Sequence, residues 1–385
     1  MLRVLIAPMA AMMETSGPFS RAVSLCHKLQ ESGHDVAFCA AEDVNYKKID
    51  NVKNFFAPIP SPLGMPMFIG KRMMKMAQAF HMQEKKQVNS FEQVLFFAGA
   101  TDKKLFYNDV QCIRDAIHYY KPDVVYAEFR PSAIVAAKLE NVKVAAGYSY
   151  PVQTSFAKNP EYSKGVREFL KENNLPPIKS ALELFDWADL KIVPSSYELE
   201  PMDGENIVFT GPFDAPSIGK FEANKNKILV YMGFGTISPH TMIENLTKVQ
   251  TDYEFYIATR QVKPYRKNNI TVDERFDFSK LMPEALAYIN HGGQNSVMTG
   301  LMYGVPQIVY PGNVFERKYN ADSLVHLHAG VKLEKNGFTA KRIGNVVDEF
   351  KKNPTYAENA KKAGEQLLNL GGVKTTVKAI EKLVR

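Results

Sequence analysis

Two series of short apolar runs, separated by helical or turn-rich stretches, constrain this chain more than any other feature. The first series is Leu2 to Ala7, Asp35 to Cys39, Asp123 to Ala127, Val142 to Ala146 and Leu190 to Val193. Between these runs, Pro18 to Ser32 puts Ala22, Leu25, Cys26 and Leu29 on one helical face, with Gly33 placed to close the helix, and Pro131 to Leu139 reads as a second helix. The second series is Lys227 to Tyr231, Glu254 to Ala258, Ala285 to Asn290 and Gln307 to Tyr310, with a last helix over 372–385. Strands alternating with helices predict an α/β chain built on parallel, doubly wound sheets. A length of 385 residues exceeds one ordinary core, so two such domains are expected, 1–212 and 227–371, joined by a polar linker over 213–226. Residues 45–120 are less regular, and Pro58, Pro60, Pro62, Gly64 and Pro66 mark a loop there.

Within the second series one junction carries chemistry. The apolar run ending at Asn290 is followed by His291-Gly292-Gly293-Gln294-Asn295-Ser296 and then by a helical stretch, Val297 to Tyr303, that ends at Gly304-Val305-Pro306. A strand, a glycine turn and a helix start therefore meet. Glycines let the backbone approach a ligand closely, and the unpaired N–H groups of a helix start favour an anion. His291, Asn295 and Ser296 add side-chain donors to such a phosphate site. The plainer alternative is a turn capped by Ser296. An earlier glycine turn, Gly233-Phe234-Gly235-Thr236, follows the first strand of the same series and offers Gly235 and Thr236 to the same ligand.

These elements continue into Gly304-Val305-Pro306, Pro311, Glu316-Arg317 and Asn320-Ala321. In that order and near-constant spacing they resemble the donor-binding signature of the UDP-glycosyltransferase superfamily, bacterial macrolide glycosyltransferases in particular. The resemblance implies a GT-B fold: two Rossmann-like domains facing a cleft, the last helix packing back on the first domain. It further implies an inverting, metal-independent hexosyltransferase. The C-terminal domain would hold a UDP- or dTDP-linked sugar as co-substrate, with no cofactor. The N-terminal domain would take a hydrophobic small-molecule or lipid acceptor. Glu316 and Arg317 stand where the family's Asp-Gln pair holds the donor sugar, Arg317 being a departure. Thr299 stands where a ribose-binding Glu is usual and offers fewer hydrogen bonds.

The family's catalytic His is also replaced. Glu14-Thr15-Ser16-Gly17-Pro18 occupies its place, and Thr15 cannot take a proton at neutral pH. Glu128, after the strand Asp123 to Ala127, matches the Asp that partners that His; facing the cleft, it is the first candidate base and Glu14 the second. His34 matches the turn after the first helix and reads as structural. The missing His leaves open an auxiliary protein that keeps the fold and supports a partner transferase. A nucleotide-sugar epimerase of the same fold is the other alternative.

A net charge of +7 allows an acidic partner, but no helix-turn-helix, RNP-like or zinc-finger pattern supports nucleic acid. Residues 71–86 are basic and methionine-rich: a helix lining the acceptor pocket, or one that touches a membrane surface. His326 and His328 flank Leu327 on an apolar helix, at a spacing that places them on different faces and argues against a metal site. Cys26, Cys39 and Cys112 form no disulfide framework, so a reducing cytoplasm is expected.

Overall fold

The computed structural model describes residues 1–10, 17–62, 65, 88–216, 225–233 and 236–385. The chain divides into two compact units. One takes Asn89–Asp214, Leu370–Arg385 and the described residues of Met1–Lys75; the other takes the described residues of Ala215–Asn369 together with Val88.

Among the described residues, seven strands form the sheet of the first unit: β1 (Arg3–Pro8), β2 (Asp35–Phe38), β3 (Lys53–Asn54), β4 (Val124–Glu128), β5 (Lys143–Gly147), β6 (Leu190–Val193) and β7 (Ile207–Phe209). Their order is β3-β2-β1-β4-β5-β6-β7, and every pairing is parallel. The central strands are covered on both faces, which explains why β1 and β4 read as continuous apolar runs rather than alternating ones. One face carries the helix Gly17–Glu31, which buries Phe19, Ala22, Leu25, Cys26 and Leu29. Beside it lies the last helix, Val373–Val384, which buries Thr376, Val377 and Ile380 in the same cluster. His34 fastens this corner: its Nδ1 accepts from the Leu2 N–H at 3.1 Å, and its Nε2 bonds Glu381 Oε1 at 2.9 Å.

Residues 89–120 are more regular than their sequence suggests. Phe91–Ala98 is a helix capped by Ser90, and Lys103–Tyr120 is an 18-residue helix. Asp102 caps the longer one, and Phe106, Val110, Ile113 and Ile117 repeat at helical spacing on its buried face.

The second unit repeats the plan with β8 (Lys227–Tyr231), β9 (Glu254–Ala258), β10 (Tyr265–Lys267), β11 (Ile270–Asp273), β12 (Ala285–Asn290), β13 (Gln307–Val309) and β14 (Gly330–Lys332). The order is β10-β11-β9-β8-β12-β13-β14, parallel except for the short β10–β11 pair at one edge. The strand order reverses between β9 and β12, on either side of β8. In open α/β sheets that is where ligands gather, beyond the carboxyl ends of the strands. The fold class is therefore the one expected, two parallel Rossmann-like sheets.

Candidate functional site

At the carboxyl end of β12 the chain turns through Gly292 (φ +81°) into the helix Gln294–Met302, with Gly293 at the N-cap position and no side chain capping it. Ser296 is thus not the cap, and the positive end of this helix is left to a ligand. Buried amides hold the turn. Asn290, wholly buried, accepts from the Gly292 N–H at 2.8 Å and donates to Gln307 Oε1 at 2.8 Å. Gln307, also wholly buried, donates in turn to the Val297 carbonyl at 2.8 Å. Asn320 donates to the Gly292 carbonyl at 2.9 Å. Asn290 and Gln307 were missed from sequence. The available signal was two amides within strands otherwise apolar, where a polar group needs a partner.

The glycines are fixed by their neighbours. A Cβ on Gly292 would lie 2.7 Å from the Arg317 carbonyl and 2.9 Å from Val309 Cγ1. One on Gly293 would lie 2.7 Å from His291 Nε2, and one on Gly233 3.3 Å from His291 Cε1. The imidazole therefore sits between the two glycine turns. Its Nδ1 faces the Tyr231 carbonyl at 3.4 Å, and its ring meets the Tyr231 ring edge-on at 5.6 Å. Burial, and then the Arg317 cation, push the His291 pKa down to about 3, against the pull of that carbonyl. His291 is neutral at pH 7, and the hydrogen on Nδ1 points at the carbonyl.

Arg317 donates from Nη1 to Thr236 Oγ1 at 2.5 Å and so ties the helix Phe315–His326 to the end of the first glycine turn. The Thr299 hydroxyl donates to the Asn295 carbonyl at 2.7 Å, which leaves it only acceptor capacity. Burial raises the pKa of the Tyr288 phenol, with neighbouring Ser296 acting against it. Asn295 is exposed at the helix start, and Glu316 lies in the first turn of its own helix. His326 ends that helix, while His328 lies beyond it at φ +50°, which corrects the expectation that both share one helix. No group of three or more potential metal ligands occurs among the described residues. Gly235, Glu14, Thr15 and the stretch 71–86 lie outside the described residues.

In the first unit, Glu128 ends β4 and is wholly buried. Its Oε1 accepts from Arg21 Nε at 2.6 Å and its Oε2 from the Tyr126 hydroxyl at 2.7 Å. A Cβ on Gly147 would lie 2.7 Å from Oε2, so the neighbouring strand needs a glycine there. Burial, and next the Glu128 charge, hold the Tyr126 phenol protonated. The chain leaves β4 through Phe129 at φ +54°, an uncommon conformation for a bulky residue, with Arg21 5.2 Å from the centre of its ring. Arg21, Tyr126 and Gly147 were not singled out from sequence; for Arg21, a partner 107 positions away leaves no local pattern.

A small cavity of about 40 Å³ opens nearby, walled by Met9, Pro58, Leu95, Ala98 and Leu105. It has room for a water or one small group. Asp109 lines it too, held by Arg130 and Ser132. Among the described residues no helix is long and apolar enough to cross a membrane.

Residues 245–383 match the family described as erythromycin biosynthesis protein CIII-like, C-terminal domain. The chain is similar to a protein of Bacillus subtilis (strain 168) described as uncharacterized UDP-glucosyltransferase YojK. They are 25% identical over 252 residues, 60% of this chain and 62% of the relative. With UDP-glucosyltransferase YdhE of the same organism the match spans 54% of the relative, so the chain covers just over half the length of both. Among solved structures, the glycotransferase of kitacinnamycin superposes with a TM-score of 0.75 at 17% identity, over 100% of this chain and 99% of that one. Spinosyn rhamnosyltransferase SpnG, complexed with thymidine diphosphate, gives 0.67 at 15% identity over 99% and 100%. The likeness to the UDP-glycosyltransferase superfamily and the GT-B fold, read from the histidine run, both hold.

Proposed function

We propose that this chain, a member of the UDP/NDP-glycosyltransferase superfamily of GT-B fold, moves a sugar from a nucleoside-diphosphate sugar to a hydrophobic small-molecule acceptor, with inversion. The observation that carries this reading is the uncapped start of the helix Gln294–Met302, held in place by Asn290, Gln307 and Asn320. Backbone N–H groups aimed by a buried network suit a diphosphate and need no reorganisation when it leaves. Asn295 adds a donor at the helix start. If Tyr288 donates to Ser296 Oγ, the Ser296 hydrogen is free for the anion. Thr299 faces the ribose and, with its proton committed, accepts from one hydroxyl at most; both UDP- and dTDP-linked donors fit that arrangement. Glu316 serves the donor sugar, a hexose or deoxyhexose.

The acceptor attacks the anomeric carbon opposite the diphosphate. Glu128 is the carboxylate offered for its proton, and Arg21 must first release it. An acceptor that is already anionic needs no base.

Calorimetry against UDP, dTDP and GDP tests the reading, followed by hydrolysis of the matching sugar donor. His291→Ala and Ser296→Ala are each expected to weaken diphosphate binding by about 1.5–3 kcal/mol, the worth of a hydrogen bond to a charged oxygen. Failure of the wild type to bind any nucleoside diphosphate sinks the proposal.

A further inference from the structure

The signature places Arg317 in the pair that holds the donor sugar. Its geometry points elsewhere. The Arg317 backbone carbonyl packs on Gly292, and its guanidinium reaches Thr236 across the space between the two glycine turns. Gly312 bends away at φ +61°, and a Cβ there would lie 3.2 Å from Thr236 Cγ2, so the same threonine is also fixed from a second side. The cation is close enough to His291 and Tyr231 to act on both electrostatically. His291 lies just before the helix start that the preceding section assigns to the diphosphate; Tyr231 packs on His291, and Thr236 is held by Arg317.

We propose that Arg317 is the fixed cation of the diphosphate subsite, bridging the two glycine turns, and not a ligand of the donor sugar. The inference rests on the reading that this loop holds a nucleoside diphosphate. Its neighbour His291 is neutral, so Arg317, with the Glu316 carboxylate acting on it, supplies the side-chain cation that the partial charges of the backbone amides lack. As the bond between the anomeric carbon and the diphosphate oxygen breaks, its electron pair stays on that oxygen. Negative charge therefore grows where the guanidinium already stands, and a preorganised cation acts more strongly on the transition state than on the bound donor. A neutral amide at this position, as in the family's usual pair, lacks that charge. Arg317 thus sets two properties of this chain: preference for diphosphate over nucleoside, and a marked salt dependence of that preference.

The test titrates wild type, Arg317→Gln and Arg317→Lys with UDP and dTDP, and with uridine and thymidine, at low and high salt. In Arg317→Gln the better-bound diphosphate is expected to lose about tenfold to a hundredfold in affinity while its nucleoside changes little. The difference should shrink at high salt, and Arg317→Lys should recover part of the loss. Retained nucleoside binding shows that the variant is folded. Equal losses for diphosphate and nucleoside overturn the proposal, as does unchanged diphosphate affinity. If the diphosphate binds normally and only the intact sugar donor binds more weakly, Arg317 belongs to the sugar after all. If the wild type binds no nucleoside diphosphate, the underlying reading fails and takes this one with it; the other outcomes leave that reading standing.

Discussion

The ends of β12 and β4 carry the chemistry of the two units and are built in opposite ways. At β12 the ionisable side chain, His291, is kept neutral, and the donors are backbone amides aimed by buried Asn290 and Gln307. At β4 the ionisable side chain, Glu128, is wholly buried and held by a guanidinium and a phenol. On the proposed reading, one strand end receives an anion from outside. The other has its anion already, and has matched it. Position at the carboxyl end of a central strand therefore does not by itself mark a catalytic group; what matters is whether the group's partners lie within the chain.

The largest expected effect breaks that contrast if it fails. Glu128→Gln leaves the partly buried Arg21 facing a neutral amide in place of its carboxylate, and removing one member of a buried pair costs up to about 3–5 kcal/mol. Urea unfolding should show this loss, and the double variant Glu128→Gln, Arg21→Met should recover part of it, since the cation that lost its carboxylate is then gone. If stability is unchanged, Arg21 and Glu128 are not a matched pair and the two strand ends are alike in kind; transfer to a neutral hydroxyl by the folded variant should in either case fall by about 10²–10⁴-fold, as the proposed base is lost.

Next in size is the amide network under the glycine turn. Asn290→Ala removes the acceptor of the Gly292 N–H and the donor to Gln307. Each buried group left unmatched costs about 1–3 kcal/mol. We expect a lower melting temperature and a loss of diphosphate affinity together, because the same residue shapes the loop. A variant that melts earlier yet binds UDP or dTDP as tightly as the wild type would show that the loop does not depend on its support.

How legible this was in the sequence follows the range of the interactions. The strands and the fold class were readable because apolar runs and glycine turns are local. β6, β8, β9 and β12 fall on the runs Leu190 to Val193, Lys227 to Tyr231, Glu254 to Ala258 and Ala285 to Asn290. The helix Lys103–Tyr120 was not singled out although its Asp102 cap and its Phe106, Val110, Ile113 spacing are visible; it lies in a stretch whose earlier prolines, Pro58 to Pro66, read as a loop. His291 and Ser296 stood out because they lie in one hexapeptide. Arg21 and Gly147 did not, because their meaning exists only once the helix Gly17–Glu31 packs on β4 and β5 lies beside it.

A smaller effect concerns nucleotide choice. The Thr299 hydroxyl already donates to Asn295, so it has no hydrogen for a ribose oxygen. We expect UDP and dTDP affinities within about tenfold of each other, and Thr299→Glu to shift the ratio toward UDP by about tenfold, roughly 1.4 kcal/mol. Competitive titration of both proteins reads this directly. A wild-type preference of about a hundredfold for UDP would mean that another residue holds the second hydroxyl.

The smallest effect is a pH slope, and it tests whether His291 is neutral for the reason given. Burial and the Arg317 cation lower its pKa from 6.5 to about 3 in the folded chain. Between those values the unfolded chain binds a proton that the folded chain refuses. Stability should therefore rise with pH across this window: the contribution is fully present above 6.5 and fades as pH falls toward 3. This is the reverse of a histidine that gains an acidic partner. One proton limits the slope to ~1.4 kcal/mol per pH unit. Melting curves at about pH 7.5 and about pH 5 should thus separate less for His291→Gln than for wild type. In Arg317→Gln the cation is gone but burial remains, so the separation should shrink only in part. Identical separations in wild type and His291→Gln would place the imidazole in solvent. The β12 end would then lose its neutral character, and with it the contrast to β4.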